Sequence, residues 1–359
     1  MDISFAELYE KAKSVLNPRR LSEHAEAGGV GAALLSAGGN VYLGACIDTG
    51  SSMGFCAEHA AAGAMVTAGE SQVLKMVADW GAPLPLSPPL NSPCPEDAIE
   101  ISRDGKTLYV LFTQDLIGNL TPEQVTAAPN GTYRLARSGG PAEFSAPRFF
   151  DLGQGVEQSL DGELSFSPDG GLVYFHSLRP TNTGYRQDPA VADFLDIYVA
   201  ELVAGVPGPG RNLGYPVNSV NPDGEHALHP DGVTLYFSSP RAGGLGGSDI
   251  LTSRWDGRAW SEPVNLGAPV NSAGADLQPA FTVDGNTMYF VSDRDPALGM
   301  AIYRTQWLGE RWGEPELVIS GIAGEPSLTG DGSVLYFVHV LSDGDGIFDA
   351  DIWVTQRVP

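Results

Sequence analysis

The feature that most constrains this chain is a turn that recurs five times. Asp104-Gly-Lys-Thr-Leu-Tyr-Val110, Asp169-Gly-Gly-Leu-Val-Tyr-Phe175, Asp231-Gly-Val-Thr-Leu-Tyr-Phe237, Asp284-Gly-Asn-Thr-Met-Tyr-Phe290 and Asp331-Gly-Ser-Val-Leu-Tyr-Phe337 each set an Asp-Gly pair before an apolar, aromatic strand. Asp-Gly between apolar runs is a strong hairpin signal, because the turn needs a left-handed backbone that glycine adopts without strain. The surroundings repeat as well. Trp260-Ser-Glu-Pro263, Pro269-Val-Asn-Ser272 and Phe281-Thr-Val-Asp284 have counterparts, without a gap, in Trp80-Gly-Ala-Pro83, Pro89-Leu-Asn-Ser92 and Ile101-Ser-Arg-Asp104. Such periodicity points to an array of supersecondary units.

A third strand follows each hairpin, at Thr132–Leu135, Asp196–Val199, Asp249–Thr252, Ala301–Arg304 and Asp351–Val354. A fourth carries Trp-x-x-Pro or Asn-Leu-Gly and falls at Phe149–Gly153, Asn212–Gly214, Trp260–Gly267 and Trp312–Ile319. Four short antiparallel strands per unit is the pattern of a propeller blade. Over residues 79–359 the chain resembles WD40-like propellers of the TolB type, which implies a five-bladed, mainly β fold and says little of function. The last copy reaches the carboxy terminus without a fourth strand, while Trp80–Leu86 has the fourth-strand signature and precedes the first copy. Trp80–Leu86 is therefore expected to complete the fifth blade and close the ring, which removes both open sheet edges.

Residues 1–78 have a different grammar. A Ser4-x-x-Glu7 capping box opens a helix whose apolar face is Phe5, Leu8, Tyr9, Ala12, Val15 and Leu16. Val30–Ser36 and Val41–Ile47 read as strands joined at Ala37–Asn40, and a second helix is expected from about Phe55 to Gly69 with Ala61, Ala64, Met65 and Ala68 packing inward. Gly54-Phe-Cys-Ala-Glu-His59 and Met65-Val-Thr-Ala-Gly-Glu-Ser71 resemble the amino-terminal half of a bacterial cytidine deaminase. The resemblance implies Cys56 as a zinc ligand and Glu58 as the general acid/base of a nucleoside deaminase. The family's Pro-Cys-x-x-Cys is represented only by Pro93-Cys94-Pro-Glu-Asp97, so Cys94 and Asp97 are the candidates to complete a set of three protein ligands. The alternative is that Cys94 is a loop residue of the first blade. With so little of the deaminase layer, this segment is expected to dock on the propeller, to pair with another chain through its open edge, or to stay partly disordered.

The formal net charge is −24. That balance argues against a nucleic-acid partner. Three cysteines make no disulfide framework, and neither a secretory leader nor an apolar run long enough for a membrane span is evident. The expectation is a cytoplasmic protein.

Six residues before four of the Asp-Gly turns stand Glu163, Glu225, Gln278 and Glu325, and Ala98 breaks the series. Innermost strands begin there, so these side chains are candidates to ring the central channel and take a cation or polar ligand; the competing reading is that they satisfy strand-end backbone groups. Asp196, Asp249 and Asp351 recur at one repeat position and are expected to make structural hydrogen bonds. Asp343-Gly-Asp345-Gly with Asp349 has oxygen spacing reminiscent of a calcium loop but no terminal Glu. The function that best fits is a non-catalytic binding or scaffold protein with a protein or small polar ligand on a propeller face, and no resident cofactor. Two alternatives stay open: a zinc-dependent cytidine deaminase, and a glycan-active propeller using Glu225 and Glu325.

Overall fold

A computed structural model describes residues 11–15, 19–22, 25–36, 38–49, 57–71, 73–78, 80, 83–88, 90–92, 94–113, 131–153, 160–179, 181–183, 195–343 and 346–357. The long inserts Gln114–Asn130 and Pro180–Asp193 and the tip of the Asp343–Gly346 loop lie almost wholly outside them.

After a helical turn at residues 11–13, the described chain forms a small antiparallel sheet of β1 (Arg19–Ser22), β2 (Ala25–Ser36), β3 (Val41–Thr49) and β4 (Val73–Ala78), in which β2 pairs with all three others; the Ser4–Glu7 capping box lies outside the described residues. The helix Ala57–Thr67 lies between β3 and β4 in sequence. One face of β2 presents Ala32 and Leu34 to Ala61 and Met65 of that helix; the other presents Ala33 and Leu35 to Ala12. Ala64 and Ala68, expected to pack inward, are exposed, because the helix touches the sheet along the narrower Ala61–Met65 line. Strand β4 was not foreseen: Val73–Ala78 is a short apolar run that periodicity alone does not separate from a helix end. The segment docks on the propeller, where β2 lies against the outer strand of the fourth blade. There Lys13 Nζ sits 3.1 Å from Glu316, which also takes Arg304 at 3.1 Å.

Five antiparallel sheets follow. Strand β5 (Leu84–Pro85) comes first in sequence but belongs to the last blade. Blade 1 is β6 (Glu96–Ile101), β7 (Thr107–Phe112), β8 (Gly131–Ala136) and β9 (Arg148–Phe149). Blade 2 is β10 (Gly162–Phe166), β11 (Leu172–Ser177), β12 (Asp196–Val203), the short β13 (Val206–Pro207) and β14 (Arg211–Asn212). Blade 3 is β15 (Gly224–Leu228), β16 (Thr234–Ser239), β17 (Asp249–Arg254) and β18 (Val264–Asn265). Blade 4 is β19 (Asp276–Phe281), β20 (Thr287–Ser292), β21 (Ala301–Gln306) and β22 (Glu316–Ile319). Blade 5 is β23 (Ala323–Leu328), β24 (Val334–Asp343) and β25 (Gly346–Gln356), completed by β5 through Trp353↔Pro85 and Val354↔Leu84. Trp80 bridges to Arg357, and Leu86 N donates to Ile352 O at 2.9 Å. The inner strands β6, β10, β15, β19 and β23 pack side by side, with β23 against β6, so the wheel is closed.

The aromatic strand after each Asp-Gly turn explains the core. Successive side chains of a strand point to opposite faces. Leu235 and Phe237 face blade 2 while Tyr236 faces blade 4; Met288 and Phe290 face blade 3 while Tyr289 faces blade 5. Leu335 and Phe337 look back to blade 4, and Tyr336 looks forward to blade 1. Burial on both faces is why these runs read as continuously apolar rather than alternating.

The Pro-x-Asn-Ser turns join one blade to the next. Ile250 N donates to Asn271 Oδ1 and Asn271 Nδ2 donates to Ile250 O, both at 2.9 Å. Asn218 does the same with Ile197, and Asn91 with Ile352 across the ring closure. An amide side chain thus extends the ladder where the chain leaves the sheet, satisfying groups that would otherwise be buried unpaired. Beneath the Asn218 and Asn271 turns a buried aspartate meets an arginine, Asp223 with Arg241 and Asp276 with Arg294 at 2.8 Å, and blade 2 has the same pair, Asp161 with Arg179 at 2.7 Å, without that turn motif. Each arginine also donates to the carbonyls of the neighbouring turn and lies over a phenylalanine ring, as Arg294 does with Pro269 O, Val270 O and Phe290. Asp196 and Asp249 accept from Asn212 and Asn265 respectively, the structural bonding expected of that series.

Trp80 is 2% exposed, packs edge-on to Tyr289 and lies under Arg357. Trp80→Ala is expected to lower unfolding stability by ~3–5 kcal/mol, whereas Leu84→Ala, at a position 59% exposed, should cost less than ~1 kcal/mol. Urea unfolding at constant slope measures both; equal small effects would contradict closure through this strap.

Candidate functional site

Each inner strand carries the same irregularity. The pairing register shifts between Asp97 and Glu100, Gly162 and Ser165, Gly224 and Ala227, Leu277 and Ala280, and Gly324 and Ser327. At every one of these bulges a non-glycine residue adopts positive φ: Ala98 (47°), Glu163 (51°), Glu225 (47°), Gln278 (52°) and Glu325 (54°). A bulge re-aims a side chain and often marks a functional position. Here it sits where five strands converge, and the approach is close. A Cβ built on Gly162 would lie 3.0 Å from the Ala98 Cβ and one on Gly324 3.0 Å from Gln278 Oε1, so in blades 2 and 5 a glycine before the bulge makes room for the neighbouring blade's side chain.

The re-aimed side chains meet. Glu163, Glu225 and Glu325 each offer a carboxylate oxygen, and these oxygens lie within 4.8 Å of one another. Gln278 fixes the orientation of Glu325: its Nε2 donates to Glu325 Oε1, and its Oε1 accepts from Glu325 N at 2.9 Å. Blade 1 has only Ala98 at the bulge, and the residue before it compensates. Asp97 accepts from Ala98 N at 3.0 Å and is hydrogen-bonded to Glu325, so every blade contributes one polar group to the axis.

Crowding of like charge in a dry place dictates the electrostatics. Burial, then Glu225, pushes Glu163 well above the usual carboxylate range; burial, then Glu163, Glu225 and Asp97, does the same to Glu325. Glu225 is raised to about 7, by burial first and by Asp97 next, and burial raises Asp97. Glu163 Oε2 and Glu225 Oε2 have no hydrogen-bond partner among the described residues. Beside Glu225, His226 is 2% exposed, and neither ring nitrogen reaches a partner at bonding geometry. Burial, then His176, holds its pKa down to about 3, so the ring is neutral.

The channel opens towards the Asp-Gly turns in a cavity of about 450 Å³. Glu163, Glu325 and His226 lie on its wall with Glu100, Arg103 and Phe281. Glu100 was missed by the fixed-offset search. It stands two residues past the bulge, where other blades have serine or alanine, accepts from Ser327 Oγ at 2.7 Å and is raised to about 8 by burial.

The deaminase-type candidates fare differently. Cys56 lies outside the described residues; Glu58 falls within the helix Ala57–Thr67, its side chain outside them. Cys94 occupies the turn before β6, where its carbonyl accepts from Ser92 Oγ at 3.1 Å, and Asp97 faces the channel carboxylates. Among the described residues, the potential metal-ligating group is therefore the glutamate trio. The helix Ala57–Thr67 is too short for a membrane span, and no described helix is long and apolar enough to cross one.

No family model matches the chain, and no curated protein does either. Similar solved structures include TolB from Acinetobacter baumannii at 12% identity and TM-score 0.43, covering 92% of this chain and 64% of that one. A putative TolB from Agrobacterium tumefaciens is 18% identical at TM-score 0.40, covering 79% and 94%. An α-L-arabinofuranosidase from Lactobacillus brevis is 13% identical at TM-score 0.48, covering 76% and 92%. The chain thus spans less than two thirds of the first of these. Likenesses this distant carry no argument; the propeller rests on its own strand pairing.

Carboxyls that keep protons in the folded state make stability fall as pH rises. Glu96, 0% exposed, sits where blades 2–4 have an arginine-paired aspartate, but the arginine position in blade 1 is Gln114; burial raises Glu96 to about 8. Between about pH 4.5 and 8 the folded chain holds protons that the unfolded chain has released, so stability declines across that window. Below about pH 4 the sign reverses. Asp231, lowered to about 2 by backbone and Thr234 donors that outweigh its burial, then begins to protonate. Glu96→Gln is expected to match the wild type at pH 5 and exceed it by ~1–3 kcal/mol at pH 8.5. Urea midpoints at the two pH values check this; an unchanged difference would show that Glu96 ionises freely.

Proposed function

We propose that this protein is a non-catalytic binding propeller whose ligand is a small cation or cationic group held in the central channel. One observation carries the reading. Carboxyl groups from blades 1, 2, 3 and 5 converge beside a cavity that Glu163 and Glu325 line, and two of their oxygens lack any partner among the described residues. Left empty, such a cluster is an electrostatic cost that protonation relieves at low pH; at higher pH a bound positive charge relieves it instead. The strongly negative chain adds a field that draws cations towards the channel mouth. Rigid β-bulges hold the side chains in place, which limits the ordering cost of binding.

Calorimetric titration with spermidine and agmatine, alongside neutral sugars, tests the reading. Binding of at least one amine is expected at pH 8, weakened roughly tenfold or more by Glu225→Gln and screened by salt. Amine binding that ignores Glu225→Gln would place the ligand elsewhere, and turnover across a sugar-substrate panel would overturn the non-catalytic part.

A further inference from the structure

Three side chains from three blades, brought together by the same bulge, form a set that hydrogen bonding does not complete. Glu163 is 8% exposed, yet its Oε2 has no partner among the described residues, and Glu225 Oε2 has none either. Buried acceptors without donors are uncommon and call for an explanation. A second and separate observation points the same way. His226, buried to 2% exposure and lining the same cavity, completes no well-formed hydrogen bond from either ring nitrogen, the Tyr174 backbone offering only a weak one. Blades 1, 2, 4 and 5 carry Ile99, Leu164, Pro279 and Pro326 at that position. A polar ring replaces an apolar residue there without gaining a well-formed protein hydrogen bond.

We propose that a divalent cation of calcium type binds on the propeller axis between Glu163, Glu225 and Glu325. This rests on the binding reading above and names its ligand. The three oxygens lie within 4.8 Å of one another. With Ca–O distances of about 2.4 Å, that is the widest separation two ligands of one calcium ion can have. A set made only of carboxylate oxygens suits hard cations such as calcium, magnesium or manganese over zinc or copper. Calcium takes six to eight ligands, and the cavity of about 450 Å³ lined by Glu163 and Glu325 has room for the waters that complete its shell. Gln278 locks Glu325 in place from one side and Asp97 supports it from another, so one ligand is positioned before the ion arrives. The ring of His226 then serves as an acceptor for a proton of a metal-bound water.

The test uses the full chain, stripped with chelator and titrated calorimetrically with calcium, magnesium, manganese or zinc chloride at pH 8. Calcium is expected to bind one to one with a dissociation constant below ~1 mM and to raise the melting temperature. Glu163→Gln and Glu225→Gln, each close in shape to the wild type, should weaken binding by roughly tenfold or more. Folding of each variant is read by circular dichroism. Metal-free Glu225→Gln should melt at or above the wild type at pH 8, because a like charge is removed; should Glu163→Gln fail to fold, Glu225→Gln alone decides. No calcium binding up to several millimolar, or unchanged affinity in Glu225→Gln, overturns the metal site. Spermidine or agmatine binding without calcium binding would sink this inference and leave the broader reading standing; loss of both would remove both.

Discussion

The pairing of Leu84–Pro85 with Trp353–Val354 is the contact on which the rest of the structure depends. It joins the two ends of the repeat array in one sheet. Without it, blade 5 would keep three strands and an open edge, and the space between blades 4 and 5 would lose Trp80 from its core. Closure also sets the geometry of the axis. Inner strands equidistant around a ring bring one chosen residue from each blade to a common point, and an open array would not. The carboxyl cluster is thus a product of ring closure as much as of the residues that form it.

Two groups of buried acids among the described residues differ in what answers their charge, and the contrast explains their roles. Asp161, Asp223 and Asp276 each pair with an arginine, and Asp223 and Asp276 also accept from the backbone of the Pro-x-Asn-Ser turn and so tie it to the next inner strand. Their charge is answered within the fold. The axial acids face mainly one another, and burial drives their protonation upward. A structural role needs no such arrangement, since apolar side chains would fill the same space at lower cost. Under the binding reading proposed above, unanswered acids at a rigid convergence point are retained because a positive charge completes them.

Much of this was legible in the repeat. The Trp80 signature belonged to a fourth strand but stood ahead of the first hairpin, so the closure followed from counting strands. Glu163, Glu225, Gln278 and Glu325 kept one offset from the Asp-Gly turn, and that offset proved to be the bulge. What escaped were the departures from period. Asp97 replaces Ala98 from the adjacent position and Glu100 sits two residues beyond, so a fixed-offset comparison passes over both. His226 was equally invisible, since one histidine among apolar equivalents stands out only once the equivalents are aligned on the bulge. Strand β4 was lost for a plainer reason: six residues of unpatterned apolar chain look the same in a helix end and a strand. The catalytic half of the deaminase resemblance falls largely on Cys56 and the Glu58 side chain, outside the described residues; of its other two candidate ligands, Cys94 lies in the turn before β6 and Asp97 faces the channel.

The central claim is that the axial glutamates form a cation site built by the ring. Anomalous diffraction from crystals of the full chain grown with manganese at pH 8 tests it most directly. A single strong peak on the propeller axis, within coordination distance of Glu163, Glu225 and Glu325, is the predicted result. A well-phased map with no peak there, the three carboxyls bonded only to one another and to water, would contradict it.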